Sequence, residues 1–164
     1  MKKIFLIVLT VVWMSIIFIL SNSPGEESKA DSYGLGMLFC DIFVPDFEEL
    51  PLDEQIELAL KIDHPIRKGA HFFEYFVLGV LMARVFEICT KYKYSMKIVF
   101  SWIISSLYAI SDEVHQVFVP GRHGKIGDIL LDSIGALVGV LIVFLFSLLY
   151  CMIREKITEG SNKT

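Results

Sequence analysis

Seventeen consecutive residues, Ile4 to Leu20, carry no charge at all. A run of this length buries itself in one way that satisfies every backbone N–H and C=O, as a helix in an apolar medium. The rest of the chain points the same way. Apolar residues make up 54% of the 164, charged residues only 21%, and mean hydropathy is +0.60, which is too apolar for a water-soluble domain of this length. The net charge of −4 gives no compositional support for a nucleic-acid partner. The length fits a single domain, residues 1–164, built as an all-α polytopic membrane bundle of about four spans with one sizeable loop. Cys40, Cys89 and Cys151 are odd in number and widely spaced, so they read as packing residues and not as a disulfide or zinc framework.

The spans are expected at about 4–20, 67–86, 98–117 and 128–150. The first has the basic start of a signal peptide, but it is longer than the usual apolar region and no small-x-small site follows, which favours an anchor. The third span is the most informative. Its uncharged part, Ile98 to Ile110, is thirteen residues, so a helix crossing a core of about 30 Å has to continue through Ser111, Asp112, Glu113, Val114, His115, Gln116 and Val117. The fourth begins near Asp128, passes through Asp132, and has Gly135 and Gly139 four residues apart, a spacing that permits close helix contact. Lys2 and Lys3, the group Lys91, Lys93 and Lys97, and the group Arg154, Lys156 and Lys163 set the orientation. The positive-inside tendency places both termini and the short loop in the cytoplasm, with the loop 21–66 outside.

That loop has eleven acidic residues against Lys29 and Lys61. Leu35, Leu38, Phe39 and Ile42, and again Leu52, Ile56, Ala59 and Leu60, fall at helical spacing. Each set suits a short amphipathic helix on the membrane surface or capping the bundle, and a solvated acidic connector is the competing reading.

Three spans bring ionisable residues to one depth beneath the outer surface. Arg67, His71 and Glu74 are spaced i, i+4, i+7 on one helical face; Asp112 and His115 are spaced i, i+3 with Gln116 beside them and Glu113 on a neighbouring stripe; Asp128 and Asp132 are spaced i, i+4. Mutual neutralisation would explain one pair. Two histidines, an arginine and several carboxylates at one depth predict a functional pocket. Between spans three and four, Gly121, Gly124 and Gly127 follow Pro120 at every third position, interleaved with Arg122, His123 and Lys125. Such a turn before a helix suits an anion, or else relieves crowding in a tight re-entrant turn.

Phe18-Ile19-Leu20-Ser21-Asn22-Ser23, Arg67-Lys68-Gly69-Ala70-His71-Phe72-Phe73-Glu74-Tyr75, and Ser111 through Arg122 followed by Asp128 and Asp132-Ser133-Ile134-Gly135 together resemble the VanZ-like family, over nearly the whole chain. The resemblance implies a small polytopic bacterial membrane protein, in a family whose namesake lowers susceptibility to the glycopeptide teicoplanin more than to vancomycin. Carried over by position, its motif residues here are Arg67, His71, Glu74, Asp112, Glu113, His115, Gln116, Arg122, Asp128 and Asp132. The acidic loop matches no motif.

Three functional classes follow. In a binding or envelope-modulating protein, Arg67, His71, Asp112, Gln116, Arg122 and Asp132 form the ligand site. Lys68 and Lys125 add charge for a phosphate or carboxylate of an amphiphile, either a teicoplanin-type drug or a lipid-linked wall precursor. In an intramembrane enzyme, Glu74, Glu113, His115 and Asp128 supply the acid–base groups. No G-x-S-x-G is present, and Ser21, Ser23 and Ser111 have no base beside them in sequence. A metal-dependent version would use His71, Glu74, His115 and a carboxylate; metal content stays open and no cofactor is specified. A proton-coupled transporter is the third class, although the inner halves of the spans are apolar apart from Arg84 and Glu87. Trp13, Trp102, Phe144 and Phe146 read as lipid-facing or packing aromatics, and Tyr75 and Tyr108 as interfacial tyrosines.

Overall fold

The computed structural model describes residues 2–161, with side chains through 158; Lys163, one of the residues used to orient the chain, lies outside the described residues. Among them are five α-helices and one short 3-10 turn, with no strand: α1 Lys2–Ser21, α2 Gly25–Phe43, the turn Phe47–Glu49, α3 Leu52–Cys89, α4 Tyr94–Gln116 and α5 Ile126–Ser161. By length and composition, α1 and α5 are apolar enough to cross a membrane. The surface agrees with an apolar surrounding: Ile4, Phe5 and Ile19 on α1 and Leu130, Leu145 and Phe146 on α5 are all more than half exposed.

Helix α3 is the centre of the bundle and packs against every other α-helix. Its contact with α5 is made by small residues. A Cβ placed on Gly79 would overlap the Ala136 carbonyl, one on Gly139 would overlap the Phe76 carbonyl, and one on Gly135 would meet the Phe72 carbonyl oxygen at 2.5 Å. The two backbones therefore touch directly, as the Gly135/Gly139 spacing predicts, and association in an apolar medium depends on that kind of close packing. Around it lies a core of Ile17, Tyr75, Leu78, Ala109 and Ala136, all with no exposed surface. Only a narrow stripe of α1 is buried, at Thr10, Ile17 and Ser21, spaced i, i+7, i+11 along one helical face.

Three expectations need correction. The segment 21–66 is not a connector, because most of it is helical. The Leu52–Leu60 segment is no separate surface helix either; it runs through Pro65 into the segment expected to cross the membrane, as one helix of 38 residues. Proline costs α3 one N–H, the partner of the Lys61 carbonyl, but the packing of α2 along this half outweighs that loss. Gly36 of α2 lies so close to Ala59 of α3 that a Cβ there would stand 2.9 Å from the Ala59 carbonyl oxygen. Leu38, Phe39 and Ile42 point outward and do not cap the bundle, and only Leu35 of that stripe also borders a cavity. Third, packing accounts for Cys40, which is buried, but not for Cys151, which is exposed.

Candidate functional site: a cationic cavity over a buried carboxylate cluster

The turn from α4 to α5 closes over the ends of α1 and α2. Gly25, at the start of α2, donates its N–H to the Pro120 carbonyl at 3.0 Å, and any side chain on Gly25 would overlap the backbone of Gly121. Gly121 itself has φ of 74°, a left-handed conformation that glycine takes without penalty. Arg122 then reaches across to α1, donating from Nε to the Ser23 carbonyl at 2.9 Å and from Nη2 to the Leu20 carbonyl at 3.3 Å. It satisfies carbonyls that the end of a helix leaves open. Burial pulls its guanidinium below the usual arginine range, opposed chiefly by the charge of Asp112.

Beneath this turn is a cavity of about 290 Å³, bordered by Lys29, Arg67, Lys68, Arg122 and Lys125, together with His71, Gln116 and Asp128. The lining carries five cations against one carboxylate. The first turn of α2 contributes Gly25 and Ser28 to the wall, adding the partial positive charge of a helix N-terminus. A second cavity of about 190 Å³ shares Ser28, Arg67, His71 and Arg122 with the first; Leu20, Leu35, Ile66 and Ala70 give it a mostly apolar wall, and Glu74 and Asp31 are its carboxylates. Together they form one bipartite space, cationic on one side and apolar on the other.

Behind the cavity lies a layer of buried polar groups. Asp112, 3% exposed, accepts hydrogen bonds on one oxygen from Ser21 Oγ at 2.7 Å and Gln116 Nε2 at 3.1 Å. Ser21, which has no base near it in sequence, thus has a carboxylate partner 91 positions away. Asp112 Oδ1, both oxygens of the fully buried Asp132, the Tyr75 hydroxyl and His71 Nδ1 have no hydrogen-bond partner. Groups of this kind are costly when buried unpaired. His71 Nδ1 is 4.0 Å from Glu74 Oε2. Glu113 accepts the Lys125 backbone N–H at 2.9 Å, so one amide expected to be available to an anion is taken from within. Gly124 stands where a side chain would press on Val117 and Glu113, so relief of crowding explains this glycine.

Of the residues singled out in sequence, Arg67, His71, Glu74, Gln116, Arg122 and Asp128 border the cavities, while Asp112, Glu113 and Asp132 are buried and border neither. His115 stands apart. Its ring lies 4.5 Å from that of Phe18 and its Nε2 is 3.3 Å from Asn22 Oδ1, and it borders neither cavity. The ligand set His71, Glu74, His115 and a carboxylate is therefore not assembled, and among the described residues no three His, Cys, Asp or Glu side chains gather closely enough to hold a metal ion. Tyr75 is a core residue, not an interfacial one, and Tyr108 donates to the Met14 carbonyl at 2.6 Å. Trp13 likewise packs inward, donating to the Glu74 carbonyl at 2.9 Å.

The sequence reading missed Gly25, Ser28, Lys29, Ser32 and Asp63. Ser32 donates to Asp63, whose other oxygen receives Arg67 at 2.8 Å, so the helix pair α2–α3 fixes the arginine. One signal was available, a lone Lys29 following Pro24-Gly25 at the start of an otherwise acidic stretch.

A family model described as VanZ/LLP1 matches residues 5–147, a span that contains every residue of the site. No curated protein and no solved structure gives a match to this chain.

Proposed function

We propose, for a chain that belongs to the VanZ/LLP1 family, an integral protein of the bacterial cytoplasmic membrane that crosses it four times with both termini inside. On this reading it acts at the outer face, binding or modulating a lipid-linked envelope ligand and so lowering susceptibility to teicoplanin-type glycopeptides. The observation that carries the proposal is the bipartite cavity. Five cations converge where a phosphate or carboxylate headgroup would sit, and the same Arg67, His71 and Arg122 border a neighbouring chamber with an apolar wall. A water-soluble anion needs only the first chamber. An amphiphile uses both. The bilayer is the partner along the exposed apolar faces.

Arg122 is a poor probe of this reading, because removing it also unties the end of α1. Lys68 and Lys125 are better, since neither side chain makes a hydrogen bond or ion pair among the described residues. The test is the teicoplanin and vancomycin growth-inhibition threshold of one Gram-positive host carrying empty vector, the protein, or Lys68→Gln/Lys125→Gln at matched membrane abundance. The expected result is a teicoplanin threshold raised by the native chain and lost in the double variant. If the native chain behaves as empty vector in a host where another family member protects, this reading is wrong.

A second reading, an acid–base enzyme acting on a lipid-linked envelope substrate, is favoured by one feature: Glu74 borders the apolar chamber with the His71 imidazole beside it. Mass analysis of such a substrate after incubation separates the two readings. Conversion abolished by Glu74→Gln means catalysis, and an unchanged substrate that still competes for the cavity means binding.

A further inference from the structure

At the end of the bundle opposite the candidate site, α3 and α5 diverge around a second polar group. Arg84 donates to Glu87 Oε2 at 2.5 Å, and Ser147 of α5 donates to Glu87 Oε1 at 2.5 Å. That carboxylate is therefore fully engaged within the protein. Beside it stands Arg154, exposed, and among the described residues it makes no ion pair. Arg84 and Arg154 border a cavity of about 790 Å³. Next to it, sharing Tyr94 and Ile142, is a groove of about 590 Å³ between α4 and α5 whose remaining lining, Leu141 and Leu145 among it, is wholly apolar.

We propose that this pair of cavities is a binding site for an anionic phospholipid of the leaflet on that side, the headgroup at Arg154 beside the Arg84–Glu87 pair and one acyl chain in the groove along Leu141 and Leu145. Dimensions support this. Leu141 and Arg154 are thirteen residues apart on one helix, about 20 Å at 1.5 Å per residue, and one leaflet with its headgroups is about 20 Å thick. Charge supports it as well. Of the carboxylates at this end, Glu87 is held by Arg84 and Ser147, and Glu155 lies beside Cys151 on α5. Arg154 is the lining cation left without an ion pair among the described residues, and a phosphodiester supplies its anion.

The test uses the purified full-length chain in vesicles of phosphatidylcholine and phosphatidylglycerol at three to one, with a photoactivatable diazirine on the acyl chain of either lipid in turn and adducts located by peptide mass spectrometry. The phosphatidylglycerol probe is expected to label the Leu141–Leu148 segment about fivefold more per mole than the phosphatidylcholine probe, the ratio that about 1 kcal/mol from the one unpaired basic residue, Arg154, produces. Arg154→Gln, on an exposed position that should leave the fold intact, lowers that preference towards unity. Leu145→Trp, which fills the groove and keeps the arginines, removes adducts from the segment for both lipids. Equal labelling by the two probes, adducts confined to other helices, an Arg154→Gln preference unchanged from native, or crosslinks from the groove to a second copy would each overturn the proposal.

Discussion

The contact between α3 and α5 changes character within about one helical turn. At Gly79, Ala136 and Gly139 the two backbones touch, and no side chain intervenes. At Asp132, four residues before Ala136, the same pair of helices encloses a carboxylate with no exposed surface and no hydrogen-bond partner on either oxygen. A bundle built for stability alone would continue the small-residue packing upward or place an apolar residue there. The difference shows two environments along one interface: backbone contact secures the helices below, and a buried carboxylate without a partner stands above.

Four substitutions test that contrast. The largest effect is expected at the packed part. Gly79→Val forces the two backbones apart, at a cost of about 3 kcal/mol, the upper range for overpacking, read as a lowered thermal midpoint in detergent. If Gly79→Val is neutral, the helices are not held by backbone contact and the comparison fails. Next is Ser21→Ala, which strips one of the two donors from the buried Asp112 carboxylate and should cost about 2 kcal/mol, measured in the same way. Opposite in sign is Asp132→Leu. Removing an unpartnered buried carboxylate should raise stability by about 1 kcal/mol; a fall in stability would mean Asp132 is a structural residue with partners. The smallest effect is predicted for His115→Ala, within about 0.5 kcal/mol and with the growth phenotype unchanged, because that ring rests on Phe18 outside both cavities.

Much of this was readable from residues in order. Charge-free runs announced helices, and the uncharged part of span three, only thirteen residues long, required its helix to run on through polar residues; α4 does continue to Gln116. The i, i+4, i+7 face of Arg67, His71 and Glu74 survives because helical spacing is a local property, fixed whatever the helix packs against. His115 shows the limit of that argument. It shares α4 with Asp112 and Gln116 and sits at a spacing that suggests one face, yet α1 ends beside it and Phe18 and Asn22 draw the ring away from the cavity. The acidic stretch was legible in part. Its helical spacings at Leu35–Ile42 and Leu52–Leu60 fall in helices, whereas α2 gains its place from Gly36 meeting Ala59 and Gly25 meeting Gly121, contacts between positions that no local pattern relates.

By itself the sequence determined the all-helical class, the spacing of the polar residues along each helix, and the family, since each follows from short-range periodicity or from motif residues in register. Tertiary structure alone decided which of those residues share a space. Ser21 and Asp112, Glu113 and the Lys125 amide, Asp63 between Ser32 and Arg67, and the sharing of Arg67, His71 and Arg122 by two chambers depend on how helices rotate about their own axes when they pack. That rotation is set by where glycine and alanine allow backbones to meet, and it moves a side chain from cavity to lipid with no change in its position along the chain.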